Sequence, residues 1–402
     1  MSQPSRDVPL ICHLGLIEPR RDPRMLRAVE ASAERYRAVV VGQSLEKVKN
    51  PSEYKGIPIW LSYWSTRKGP KNLFFRAIKY FDILARMAWR ARRLRPDLIH
   101  SHELICLPIT LLATWGRKTK IVYDAHELYF EQGVPQDRRG ANFRFWMWLE
   151  GKLVHKVDAI LAANPERAEI MRERFGLAEA PVSIDNLSEP QPRVESRLLQ
   201  DFVASKGGSA EAIVFYQGMI NEGRGIPNLI AAMALVPNHV SLVLMGPQLE
   251  DVCAPAIAKY HVEDKVFYHE PVSAREVHAW SCSADVGVVI YRNTGLNNYL
   301  CAPNKLYEYL MSGIPVIGPD SPTVSRVLTE YGVGALFDPE SPESIAKAIM
   351  GLLGDRASLE RAKAGIPAAL ARFNWRTEKE RLMGVYERLL SDQPAGTNGG
   401  QA

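Results

Sequence analysis

The chain is 402 residues long, 46% hydrophobic and 24% charged, with a net charge of +5. One core does not comfortably serve that length, so two domains are expected, and the composition is that of a globular protein, not a disordered or fibrous one. So mild a charge gives no reason to expect a nucleic-acid partner. The five cysteines (Cys12, Cys106, Cys253, Cys282 and Cys301) are scattered and form no close pair, which argues for a reducing compartment and against a zinc site. The opening MSQPSRDVPL is polar and lacks the apolar core of a signal peptide. No window reaches the roughly 18 apolar residues of a membrane span. The expectation is a cytoplasmic protein that touches a membrane face, if at all, without crossing it.

Short apolar runs alternate with longer helical patterns, as in parallel sheets with crossover helices. Candidate strands lie at 8–14, 38–41, 57–61, 98–101, 121–123 and 159–162, and again at 213–216, 241–245, 266–268, 286–290, 315–317 and 334–337. Two such sets make two doubly wound α/β domains, 1–187 and 211–373. Between them NLSEPQPRVES loses periodicity ahead of Gly207 and Gly208, so 188–210 reads as a linker. A helix over 374–391 is placed to return to the first domain, and the tail 392–402 is expected to be disordered.

Ligands of such sheets bind beyond the carboxyl ends of the strands, so residues there carry the argument. Gly15 follows the first strand and allows close backbone approach to a ligand. Arg20 lies just downstream, ahead of Asp22 and Pro23, which read as an N-cap and first helical residue. From Arg67 to Arg95 there are ten Lys or Arg and one acid, Asp82, interleaved with Phe74, Phe75, Tyr80, Phe81 and Trp89. At helical spacing Phe74, Ile78, Phe81, Ala85 and Ala88 form an apolar stripe. Two readings stay open: a core-packing helix with a solvated basic face, or a surface resting on anionic headgroups with Arg138, Arg139, Phe143, Arg144, Phe145, Trp146 and Trp148, the stretch 138–148.

In YDAHELYFE, residues 123–131, His126 and Glu127 stand where a strand ends. A histidine there is a candidate to exchange protons with a substrate hydroxyl, although such histidines are more often structural. His102, in HSHE after the preceding strand, ranks below it. These His and Glu residues match no helical His-x-x-x-His spacing, and the chain holds no Asp-x-Asp, so no metal or other cofactor is expected. After the strand at 213–216, Gly223 and Gly225 flank Arg224, whose planar cation suits phosphate oxygens; an ordinary surface turn explains a lone Gly-Arg-Gly as well. In CAPNKLYEYLMSGIPVI, Asn304 reads as an N-cap, 305–311 as a short helix and Gly313 as its end. The helix N-terminus and Lys305 favour an anion. Glu308 lies about one turn further on, roughly 5 Å along the axis, near the step from a diphosphate to a ribose.

Together, Pro-Asn-Lys-Leu-Tyr-Glu-Tyr with Gly-Ile-Pro-Val-Ile after it, the glycine-flanked Arg224, Asp-Ala-His-Glu and the Asp-Pro-Arg start resemble the GT4-type retaining glycosyltransferases of GT-B fold. The resemblance runs from Leu14 to Phe373. It implies two Rossmann-like domains facing across a cleft, the first binding acceptor and the second a nucleotide sugar. The family's ribose-gripping glutamate, second of a Glu-(seven residues)-Glu motif, falls on Glu308. The motif's first glutamate is replaced, with Cys301 in its place, and the arginine of the family's Gly-Arg opening falls at Met219. The implied donor residues are Gly218, Arg224, Cys301, Asn304, Lys305, Leu306 and Glu308; Gly15, Arg20, His102 and Glu127 line the acceptor side, and His126, Arg224 and Lys305 are catalytic. The activity so implied is transfer of a sugar to a glycan or polyprenyl-linked acceptor, as in bacterial surface polysaccharide synthesis. A nucleotide-sugar epimerase, or a non-catalytic nucleotide-sugar or membrane scaffold, is the alternative.

Overall fold

The computed structural model describes residues 8–16, 18–63, 73–128, 131, 140–247 and 249–391. They form two compact units, one running to Asp185 and resuming at Glu378, the other Asn186–Thr377.

The first unit is built on β1 (Leu10–Leu14), β2 (Arg37–Ser44), β3 (Ser52–Tyr54), β4 (Ile57–Tyr63), β5 (Leu98–His102), β6 (Lys120–Ala125), β7 (Ala159–Ala162) and β8 (Val182–Ser183), in the order β3-β4-β2-β1-β5-β6-β7-β8. All pairings are parallel except β3 with β4. β3 and β8, three and two residues long, are additions to the sequence reading, too short to show a period. One sheet face packs Cys12, Leu14, Val39 and Val41 on Ile83, Leu84, Met87 and Ile109; the other packs Val40 and Ile59 on Met25 and Val29. The second unit holds β9 (Ala212–Gln217), β10 (Val240–Met245), β11 (Val266–His269), β12 (Val286–Val288), β13 (Val316–Pro319) and β14 (Gly334–Phe337), all parallel, in the order β11-β10-β9-β12-β13-β14. Valine- and isoleucine-rich strands covered on both faces are what such a sheet requires.

Strand order decides where ligands go. It reverses at β1/β5 in the first unit and at β9/β12 in the second, and the residues after those strands sit at the crevice such a reversal opens.

Two boundaries differ from the sequence reading. The stretch 188–210 is no free linker: Leu198–Ser205 is a helix whose Leu199 and Val203 are buried in the second core, with the Leu199 amide donating to Ser283 Oγ at 3.1 Å. An eight-residue helix beside a Pro-rich run carries too little periodicity to be seen. The last helix, Trp375–Ser391, groups with the first unit from Glu378 onward. There Tyr386 is fully buried, and Arg35 pairs with Glu380 (2.8 Å) and Glu387 (2.5 Å). The tail 392–402 lies outside the described residues.

The basic helix, Leu73–Leu94, also departs from the expected stripe. Ile83, Leu84, Met87, Ala88 and Ala91 form its buried face, while Ile78 is 44%, Phe81 68% and Trp89 54% exposed. Arg93 stacks on Trp89 at 4.9 Å, and Arg90 on Trp60 at 4.4 Å. Phe145 and Trp148 are also more than half exposed. Residues 67–72, 138 and 139 and the side chains of Phe74 and Phe75 lie outside the described set. Among the described residues no helix is long and apolar enough to cross a membrane.

Candidate active site

In the second unit β9 ends at Gln217 and turns at Gly218, whose φ of +125° suits glycine and whose Cβ, if present, would stand 3.0 Å from Lys305 Nζ. Helix Asn304–Met311 buries Leu306, Tyr307, Tyr309, Leu310 and Met311 and leaves Lys305 and Glu308 half-buried on its other face. It ends with Gly313 at φ +73°. Tyr309 reaches back so that its hydroxyl accepts the Gln217 amide at 2.9 Å. Gln217 Nε2 donates to Glu308 Oε2 at 2.6 Å, and Gln217 Oε1 accepts from Ser281 Oγ at 3.1 Å. Glu308 is thus held by a side-chain chain that no local pattern announces.

Lys305 Nζ sits 4.0 Å from the Tyr216 ring centre and 5.5 Å from that of Tyr291, and the Arg224 guanidinium lies 4.3 Å from Tyr291. Two cations therefore share one aromatic wall. Burial, with Arg224 adding repulsion, pushes the Lys305 ammonium down to about 7. A diphosphate lying against both cations would restore the full charge. A bound diphosphate that does not itself titrate near neutrality, such as that of a nucleotide sugar, would therefore bring uptake of a proton. Affinity measured by calorimetry should be highest below pH 7 and fall by up to tenfold per unit above it; a flat profile from pH 6 to 9 would count against Lys305 as the diphosphate contact. In the unliganded protein the same group makes stability rise with pH from 7 toward its ordinary value of 10.5, because there the unfolded chain binds more protons.

Several expected donor residues fall elsewhere. Asn304 is the first helical residue, not the N-cap, which is Pro303; its Oδ1 accepts from Asn186 Nδ2 at 2.9 Å. Leu306 belongs to the core, with its amide donating to the Pro303 carbonyl, so it has no side chain to offer a donor. Cys301 is a half-buried thiol in no disulfide, within electrostatic reach of Lys305. Seven residues between the two glutamates put the family's first one at Leu300, eight positions before Glu308, not at Cys301, and Leu300 is 5% exposed. Met219 is half exposed.

In the first unit, His102 ends β5 and His126 follows β6. Asp124, two residues earlier on β6, is gripped by Arg24 through Nε at 3.0 Å and Nη2 at 2.7 Å, with side-chain exposures of 3% and 9%. Burial would push the Asp124 carboxyl up, but the Arg24 charge holds it well below its usual range. His126 is 3.3 Å from Asp124 and 3.4 Å from Glu103; burial would push the imidazole down, yet the Asp124 charge, with Glu103, holds it above its ordinary value. His102 Nδ1, His126 Nε2 and Asp124 Oδ2 lie 3.1–3.7 Å apart, a spacing open to a metal ion. The guanidinium already forked on Asp124 disfavours a second cation there, so the cluster reads as one held together by protons. Gly15 is explained by packing, since a Cβ would meet Met25 Sδ at 2.8 Å. Arg20 donates to Glu18 (3.1 Å), Ser52 (3.1 Å) and the Glu53 carbonyl (3.3 Å), which ties it to β3 rather than to the histidines. Glu127 is half-buried beside His126.

The model for glycosyltransferase family 4 matches residues 19–184, and that for glycosyl transferases group 1 matches 211–355. The chain is a family 4, group 1 glycosyltransferase. It is 26% identical over 319 residues to the GDP-mannose-dependent alpha-(1-6)-phosphatidylinositol monomannoside mannosyltransferase of Mycolicibacterium smegmatis, covering 78% of this chain and 75% of that one. A phosphatidyl-myo-inositol mannosyltransferase of Mycobacterium leprae is 32% identical over 99 residues, 23% of this chain and 26% of the relative. Among solved structures, sucrose-phosphate synthase from Thermosynechococcus elongatus superposes with a TM-score of 0.73 at 19% identity, over 96% of this chain and all of that one. This glycosyltransferase therefore has the GT-B fold. In it Lys305, Glu308 and Arg224 lie in one unit and His102 and His126 in the other, near strand ends. Arg24, Asp124, Gln217 and Ser281 were missed, because each acts through a partner far away in sequence.

Proposed function

We propose that this glycosyltransferase moves a hexose from a nucleoside diphosphate to a hydroxyl of a glycan or lipid-linked acceptor, with retention at the anomeric carbon, in surface polysaccharide synthesis. The observation that carries the reading is the pair of cations, Lys305 and Arg224, on the Tyr216/Tyr291 wall beside the tethered Glu308. The diphosphate lies against the two cations and the N-terminus of the 304–311 helix, and Glu308 takes the ribose. Charge that develops on the departing diphosphate meets fixed cations, which is the stabilisation that lowers the barrier most. With that charge met by side chains, no divalent cation is required. His126, whose imidazole Asp124 and Glu103 hold above its ordinary value, serves substrate hydroxyls. A mannosyl donor named for one relative, and phosphatidylinositol acceptors named for two, support a hexose donor and a lipid acceptor. Exposed Ile78, Phe81, Trp89, Phe145 and Trp148 among arginines suit an anionic membrane face, where the protein would reach such an acceptor.

Thermal stabilisation by UDP, GDP, ADP and their hexose conjugates tests the donor site. One nucleotide series is expected to raise the melting temperature, and Glu308→Ala or Lys305→Ala to abolish the shift. A well-folded protein that responds to none of them would sink the reading.

A further inference from the structure

The cluster in the first unit contains more order than its role as a site requires. Ser32 Oγ lies 2.8 Å from the Val29 carbonyl, to which its single proton is donated. The same oxygen is 2.9 Å from His13 Nε2 and must therefore accept, so His13 Nε2 carries a hydrogen. Burial and the neighbouring histidine keep His13 neutral, which leaves a lone pair on its Nδ1, 3.2 Å from His102 Nε2. His102 in turn must donate from Nε2. Its burial, with three histidines around it, keeps it neutral as well, so His102 Nδ1 is an acceptor, 3.1 Å from His126 Nε2. The Asp124 carboxylate, 3.3 Å from the same His126 nitrogen, can only accept and demands the same hydrogen independently. Every link has one donor and one acceptor, and the direction is set at the far end by a main-chain carbonyl.

We propose that this directional chain, Ser32–His13–His102, locks His126 as its Nε2–H form and so makes Nδ1 the atom at which His126 gains and loses its proton. Nδ1 faces Glu103 Oε1 at 3.4 Å and Asp22 Oδ2 at 3.7 Å. Glu103 is held there by a backbone with φ 71°, uncommon for a residue with a Cβ, while its amide donates to the Asp124 carbonyl at 3.0 Å. The other charges about the ring are fixed. Arg24 is committed to Asp124, Arg167 donates to the His126 carbonyl at 2.8 Å, His100 faces Asp124 at 3.4 Å and the Tyr386 hydroxyl at 2.5 Å, and Glu127 follows in sequence. The exchange moves one proton between Nδ1 and a hydroxyl or water at the site, and Nε2–H never leaves. Ser32, His13, His102 and Glu103 are positioning residues, and only the kinetic arm of the test rests on the transferase reading.

The direct test is 15N NMR of the full chain labelled at histidine. With increasing pH, His126 is expected to lose its proton from Nδ1 and retain Nε2–H; a neutral form protonated at Nδ1 would overturn the proposal, as would a stoichiometric transition metal found in the purified protein by elemental analysis. Ser32→Ala should give a mixture of the two tautomers and Ser32→Thr should restore one. Glu103→Gln, at a partly exposed side chain, should move the Nδ1 titration to lower pH, and an unmoved titration would also overturn it. In turnover with a nucleotide sugar, Ser32→Ala and Glu103→Gln should shift the pH profile of kcat and leave the donor KM within about twofold. If no donor supports turnover the transferase reading fails, while the spectra still decide the tautomer.

Discussion

Lys305→Met is expected to lower kcat by on the order of a hundredfold or more while leaving the melting temperature unchanged or raised. The two effects have one cause. Lys305 spends the unliganded state packed on Tyr216 and Tyr291 beside Arg224, where burial and repulsion disfavour its charge. Replacing a half-buried cation whose charge is disfavoured with an apolar chain of similar length removes a penalty from folding. It also removes the charge that meets the departing diphosphate. Lys305→Arg keeps the charge but adds a planar fork beside Gly218, where even an added Cβ would stand 3.0 Å from Nζ, so only partial activity should return. Single-turnover rates with saturating donor, read beside a melting curve, check both parts. Full activity with reduced stability would show that Lys305 is a packing residue.

Arg24→Met should cost about 3–5 kcal/mol of stability. It strands Asp124, 3% exposed, without the two hydrogen bonds that hold it ionised. Asp124→Leu alone strands Arg24 in the same way. The double variant Arg24→Met/Asp124→Leu should recover most of the loss, because replacing both partners leaves no orphaned charge. Urea unfolding of the three variants measures this. Losses that simply add in the double variant would mean that packing, not the unpaired charge, sets the cost. In the native protein the pair contributes most above the usual carboxylate range and loses its effect as pH falls through the depressed Asp124 value.

What was legible follows from the range of each signal. The twelve strands written as short apolar runs all exist, and helix Asn304–Met311 stands where Lys-Leu-Tyr-Glu-Tyr-Leu-Met placed it. Those features depend on neighbours within a few residues. Errors arose where a residue's role depends on what packs against it. Phe81 matches the apolar period as well as Ile83 does, yet it is exposed and Ile83 is buried, because the stripe that faces the sheet is chosen by the sheet. Gly15 looked like a place for a ligand and is a place for Met25.

The sequence by itself determined two doubly wound domains and the strand ends beyond which ligands of such sheets bind, since hydrophobic period and turn residues are local and survive without a partner. Only the tertiary structure decided which polar groups meet there. Arg24 and Asp124 are 100 residues apart, His13 and His102 89, and Gln217 and Glu308 91. A periodic pattern says which face of a strand is buried but not which strand lies beside it. The order β2-β1-β5-β6 brings His13, His102 and Asp124 together, and the order β10-β9-β12 opens the crevice beside Gln217. That pairing is settled by packing all the helices and strands at once, which is why the charged core of this glycosyltransferase could be read only after it had folded.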